Sequence, residues 1–242
     1  AALRQYYTKV ENSDWKLKNK SRLQCTLNHK LPGYGEAIFR SFASKQLNME
    51  FELDMLLLPK SYGVAVVNSV PPKWMPGKVQ RTIADMPILK QYNGDLPEQT
   101  AWIMLTELEK GFWPTIYYQD RYNPHDKVAV GLNASNFAIP YKQFAQFAQC
   151  VANLLPYSFQ DIAYTVLTYH FNNTNLTKYS QKRLAAIGEY LKEDTDLELI
   201  LLDGYTDSFG GRAVNKEISI RRALKIKTFL SSMGVSPERI EI

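Results

Sequence analysis

The clearest pattern in the chain spans residues 47–55. Leu47, Met49, Phe51, Leu53 and Met55 alternate with Asn48, Glu50, Glu52 and Asp54. A period of two sets one row on a core and the other in water, which predicts a half-buried strand of an antiparallel sheet. Shorter β-branched or aromatic runs predict strands at 63–70, 115–119 and 127–132. Pro71-Pro72, Pro76-Gly77, Asn93-Gly94 and Asn123-Pro124 punctuate the loops between them. Two stretches switch to helical spacing. Residues 100–110 carry Trp102, Leu105 and Leu108 and stop at Gly111. Residues 141–155 carry Phe144, Phe147, Val151 and Leu154 and are closed by Pro156.

Beyond Pro156 strand and helix alternate. Residues 162–171 (IAYTVLTYHF) read as a strand and 172–175 as a turn. Thr177 is placed to cap a helix whose stripe is Leu184, Ile187 and Leu191. A short buried strand at 197–202, a loop at 204–211, a helix at 216–233 ended by Gly234 and a strand from Arg239 follow. The expected fold is therefore α+β. An antiparallel β-rich domain with two helices covers 1–156, and an α/β sandwich of β-α-β-α-β order covers 157–242.

Composition narrows the function. The chain has 242 residues, 45% of them hydrophobic, enough for two packed cores. Two cysteines and three histidines, with no HExxH, argue against a zinc site. No run approaches the ~18 apolar residues of a membrane-spanning helix. Residues 1–156 hold 18 Lys/Arg against 13 Asp/Glu, and 157–242 hold 11 of each, so the net +5 lies wholly in the first part. Its densest stretch alternates Lys16, Lys18, Lys20 and Arg22. Two readings stand: a strand edge kept soluble by lysine, or a basic docking face for an acidic partner. No nucleic-acid-binding motif accompanies it. All four Trp lie before residue 120, as core anchors or as a ligand-binding groove. Cys25 and Cys150 are either a disulfide or two unrelated thiols, and an oxidising compartment favours the bond.

One constellation carries binding chemistry. Gly204-Tyr205-Thr206-Asp207 precedes a predicted helix bearing Asn215, Ile218, Ser219, Arg222, Ala223, Ile226 and Leu230. Asn215 is a good N-cap, and Asn215, Ser219 and Arg222 share a helix face at spacings of 4 and 3. Ala223, Ile226, Leu230 and Met233 form the apolar stripe beside them. A carboxylate and a guanidinium in one shallow polar site suit a zwitterion, because Arg grips a carboxylate through two parallel hydrogen bonds. Equally, Asp207 and Arg222 could simply pair with each other.

The pattern N-x2-L-S-x2-R-A-x2-V-x3-L, preceded by G-[HY]-T-D, resembles the OmpA-like peptidoglycan-binding family; Ile218 and Ile226 are its apolar departures. That resemblance implies that Asp207 and Arg222 hold the zwitterionic centre of diaminopimelate, with Thr206, Asn215 and Ser219 around it. Where many members carry Asp or Asn after the first strand, this chain has Tyr169-His170-Phe171-Asn172, a departure at one ligand contact. The chain stops at Ile242, ahead of the family's G-x-G-E segment, so the second domain is expected to be incomplete at its C-terminus.

The segments Cys25-x-L-x-H, MEFEL at 49–53, QTAW at 99–102, LEKG at 108–111 and CVANLL at 150–155 resemble the MotY family. The resemblance implies a periplasmic protein of the flagellar basal body, with Cys25 and Cys150 joined as a disulfide. Its first domain would join the T ring around the P ring with MotX. Its second would bind peptidoglycan and so help hold stator units near the rotor. An enzyme is not expected, since no nucleophile–base pair is in view; nor are a cofactor, a metal or a nucleic-acid partner. The alternative is a general envelope protein that tethers another partner to peptidoglycan.

Overall fold

The computed structural model describes residues 2–138, 143–171, 173–201 and 211–242. These form two units, Ala1–Leu154 and Leu155–Ile242. In the first, the strands are β1 (Leu3–Tyr6), β2 (Trp15–Lys20), β3 (Gln24–Leu31), β4 (Gly35–Phe42), β5 (Glu50–Met55), β6 (Gly63–Val70), β7 (Arg81–Ile88) and β8 (Gly94–Leu96). Helix α1 (Glu98–Glu109), β9 (Trp113–Gln119), β10 (Lys127–Gly131) and α2 (Gln143–Ala152) complete it.

The strands make two five-stranded sheets, ordered β2-β3-β4-β5-β8 and β1-β10-β9-β6-β7. All pairs are antiparallel except β1 with β10. Inward side chains of both sheets join one core, among them Leu27, Phe39, Phe51 and Leu53 with Ala65, Val67, Ile116 and Val130. The alternation at 47–55 holds for Met49, Phe51, Leu53 and Met55, all buried. Leu47 is the exception, 62% exposed. The Asn48 side chain bonds the Phe42 carbonyl and amide at 2.8 Å each, folding the preceding turn outward before the strand begins. Where β4 leaves its hairpin, Gly35 has φ +150°, and a Cβ there would lie 1.8 Å from the Asp54 carbonyl oxygen. Only glycine fits this close approach.

Trp15 is the one tryptophan at full burial. Its indole stacks on His29, ring centroids 4.2 Å apart, and meets Phe137 edge-on. Trp102 and Trp113 are half-buried, and Trp74 is exposed with its edge against Trp113. The expectation of four core anchors is thus met once. Helix α1 buries Ala101, Met104, Leu105 and Leu108. It also buries Glu107, which accepts from Ser69 Oγ at 2.6 Å and pairs with Arg81 at 2.7 Å. Burial pushes this carboxyl up, but Ser69 and Arg81 outweigh it and hold it below the usual range. The lysines of β2 stand in solvent on an edge strand. Lys16 pairs with Asp14 and Lys18 with Glu36. Helix α2 packs on β2 and β3, and Cys150 is disulfide-bonded to Cys25 across 125 residues of sequence.

The second unit contains α3 (Phe159–Ile162), α4 (Lys178–Glu193), β11 (Leu199–Ile200), α5 (Arg212–Ser232) and β12 (Ile240–Glu241). Residues 162–171 do not form the expected strand. Ile162 ends α3, which Ser158 and Asp161 close in a capping box, and of the rest only Tyr169 bridges, to Leu176. Thr177 caps α4 as expected, its side chain accepting from the Ser180 amide. Of the strand expected at 197–202, the described residues contain β11, parallel to β12. Arg239 secures this end by donating to the Leu191, Asp194 and Leu197 carbonyls. Helix α5 begins a turn earlier than expected. Gly211 is its N-cap and Asn215 lies inside the first turns, so Asn215 caps nothing.

Two outcomes follow for stability. His29 is buried with its Nδ1 2.9 Å from the Asp14 carbonyl, and burial lowers its pKa from 6.5 to about 4. The unfolded chain therefore takes up a proton at a higher pH than the folded one. Stability is undiminished above pH 6.5 and falls by about 3 kcal/mol as the pH drops to 4. Urea midpoints across pH 4–7 should show this slope, and His29→Gln should flatten it. Cys150→Ser should lower the stability of the first unit by up to about 5 kcal/mol, the loop-entropy value for such a closure, read as a shift in unfolding midpoint.

Candidate functional site

The site is built from the α5 face and the hairpin around 169–176. Ala223, Ile226 and Leu230 are buried, as their spacing requires. Asn215, Ser219 and Arg222 lie half-buried along the adjoining face. The helix thus sets Arg222 at the border between core and solvent, with its stem covered and its guanidinium free to reach sideways.

That guanidinium is held in a defined pose. Its Nε and Nη2 donate to the Asn173 carbonyl at 3.2 and 2.9 Å. Its plane lies over the Tyr169 ring, 4.2 Å from the centroid. Three turn hydrogen bonds shape the hairpin that supplies both partners. The His170 amide donates to the Asn175 carbonyl, the Asn173 amide to the His170 carbonyl, and the Thr177 amide to the Thr168 carbonyl. One fork of Arg222 is occupied by Asn173. Nη1 and the second Nη2 hydrogen have no hydrogen-bond partner among the described residues, which leaves donors for a carboxylate.

Beside Arg222 runs a groove of about 300 Å³. Leu176, Leu184, Ile226 and Phe229 give it an apolar wall, while Arg222 and Lys225 give it two cations. Lys225 donates to Asn175 Oδ1 at 2.6 Å. Lys225 adds a cation that the motif does not contain, and its offset of three from Arg222 places it on the same side of the helix. His170 is exposed and its backbone, not its ring, closes the hairpin. Asp207 and Thr206 lie outside the described residues, as do the loop at 204–210 and Asn172. Among the described residues no group of His, Cys, Asp and Glu could hold a metal ion.

Comparison with known proteins divides the chain along these lines. The family model for the MotY N-terminal domain matches residues 6–156, and the OmpA family model matches residues 168–242. The chain is 38% identical over 240 residues to the sodium-type flagellar protein MotY of Vibrio parahaemolyticus, covering 99% of this chain and 80% of that protein. It is 35% identical over 72 residues to outer membrane protein A of Bordetella avium, 30% of this chain and 37% of that one. It is 30% identical over 77 residues to outer membrane protein A of Buchnera aphidicola, 31% of this chain and 22% of that one.

The stacking of Arg222 on Tyr169 is separable from its charge. Tyr169→Ala should cost about 0.5–1 kcal/mol, the range for a partly exposed cation–π contact, measured as a urea midpoint.

Proposed function

Since the chain belongs to the MotY family of flagellar motor proteins, we propose that it works as a periplasmic anchor with no catalytic step. The first unit attaches to the basal body, joining the T ring with MotX around the P ring. The second grips peptidoglycan, so that stator units are held around the rotor. The observation that carries this reading is the 38% identity across 99% of the chain, spanning both units. An OmpA family match over 168–242 supports the wall-binding half.

The ligand we infer is the zwitterionic centre of diaminopimelate. Arg222 takes its carboxylate through the donors left over from Asn173, and Asp207 takes its ammonium. Thr206, Asn215 and Ser219 supply small polar contacts around that pair. A charge-assisted hydrogen bond contributes roughly 1.5–3 kcal/mol, so each site is modest by itself. A wall lattice offers many equivalent sites, and several copies held in one ring bind it with far higher avidity.

Co-sedimentation with purified sacculi tests the wall half. Arg222→Ala and Asp207→Ala should each lower the bound fraction at least tenfold while thermal unfolding stays close to that of the parent. Arg222→Lys should fall between, keeping the charge but losing the fork. Binding at parental strength by both alanine variants would refute the site. Basal bodies isolated from a deletion strain and supplied with the protein test the motor half. Absence of co-isolation, together with normal swimming of that strain, would leave the general envelope tether as the better reading.

A further inference from the structure

Three loops of the first unit meet at one end of its two sheets. They are residues 56–62 between β5 and β6, 89–93 between β7 and β8, and 120–126 between β9 and β10. Hydrogen bonds tie them into one surface. The Gln91 amide donates to the Pro59 carbonyl at 2.9 Å, and the Gln91 side chain reaches the same oxygen. Arg121 Nη1 donates to the Leu58 carbonyl, and Nη2 donates to Tyr122 Oη at 2.9 Å. Below lies the buried Tyr34–Tyr118 hydroxyl pair, 2.6 Å apart, and the Leu56 amide bonds the Tyr34 carbonyl.

On this rigid base stand large side chains in solvent. Leu56, Leu57, Tyr62, Tyr92 and Tyr122 are each between 59% and 73% exposed. Contiguous apolar area of this kind marks an interaction site more often than isolated exposed residues do. Three cations sit among them: Lys60, Lys90 and Arg121. Lys60 and Arg121 both lie over the Tyr122 ring, at 4.9 and 4.4 Å. None of the three is in an ion pair among the described residues. Nearby acids are already satisfied. Asp120 is buried against Arg4, Asp126 accepts from the Ala2 amide and Asn123, and Asp54 accepts from Asn93. The surface therefore presents three cations, none ion-paired among the described residues, beside aromatic and leucine side chains.

We propose that this loop end is a docking surface for a protein partner that presents acidic side chains next to an apolar ridge. Tyrosine and arginine are the residue types that dominate binding at such surfaces, and unpaired rim cations steer an acidic partner. An anionic lipid surface fits less well. Three cations contribute roughly 3 kcal/mol at a charged bilayer, too little for a stable anchor, and the loops are cross-tied rather than free to insert. The proposal rests on the reading that the first unit attaches to the basal body.

The test uses the full chain and isolated basal bodies. Lys60→Glu with Lys90→Glu forms one variant, since neither ammonium makes a hydrogen bond among the described residues. Leu57→Asp with Tyr62→Ala forms a second, and Lys16→Glu with Lys20→Glu on β2 is the control. The parent and the control should bind alike, while each loop-end variant should bind at least tenfold more weakly with unchanged unfolding. Parental binding by both loop-end variants would overturn the docking surface and leave the anchor reading intact. Loss confined to the β2 control would move the contact to that edge and equally overturn it. Failure of the parent itself to bind would overturn both readings. Charge-dependent binding to phosphatidylglycerol vesicles, with basal-body binding unaffected by the loop-end variants, would assign the surface to lipid instead.

Discussion

The first unit depends on how its early chain crosses from one sheet to the other. Residues 3–6 pair in the sheet of β10, yet residues 15–20 pair in the sheet of β3. A buried polar lock makes this crossing possible. Trp15 Nε1 donates to the Asn133 carbonyl at 2.9 Å, Asn133 Nδ2 donates to the Thr8 carbonyl at 2.8 Å, and Thr8 Oγ1 donates to the Lys30 carbonyl at 2.6 Å. Asn136 Nδ2 donates to the Ser13 carbonyl at 2.7 Å and Ser13 Oγ donates to the Ser135 carbonyl at 2.8 Å, joining the same two segments again. Buried backbone groups that leave one ladder before joining another must be satisfied somewhere. Here they are satisfied by one asparagine-rich turn, 132–136, and the stacked Trp15–His29 pair fills the space between.

This lock also explains which strands could be read from the sequence. β5 and β6 bury one face and wet the other, so their period of two is visible. β3 is different: Thr26, Asn28 and His29 are buried alongside Cys25, Leu27 and Leu31. Polar residues at buried positions erase the alternation, and hydropathy misses the strand although it lies between β2 and β4. The tryptophans misled in the opposite sense. Residue type suggested four anchors, but only Trp15 finds both an apolar cage and a partner for its indole N–H.

In the second unit the helices and the places of β11 and β12 are legible in the sequence, and the run at 162–171 is not. Thr177, Leu184, Ile187 and Leu191 mark α4 correctly because capping and a helical stripe are local signals. The β-branched run at 162–171 has strand propensity, but among the described residues its one strand-like pairing is the Tyr169–Leu176 bridge. Sheet propensity is realised only through a partner. The N-terminus of α5 shifted because Arg212-Ala213-Val214 are compatible with helix, so Gly211 ends the loop and Asn215 is drawn inside. Arg222 kept its face because a shift of one whole turn leaves the facing of later residues unchanged. Lys225 and the Tyr169 ring went unnoticed because their roles arise only when hairpin and helix meet.

The disulfide has a mechanical meaning. Cys150 lies four residues before the first unit ends at Leu154, and its partner Cys25 sits on β3, an interior strand of its sheet. Tension arriving along the backbone from the second unit would peel back only a few residues before meeting a covalent stop. From there the load passes sideways into β3, which is paired on both sides, to β2 and β4. It does not unzip α2 and then β10 one hydrogen bond at a time. The cross-link thus carries load past α2 to a strand that is hydrogen-bonded on both sides.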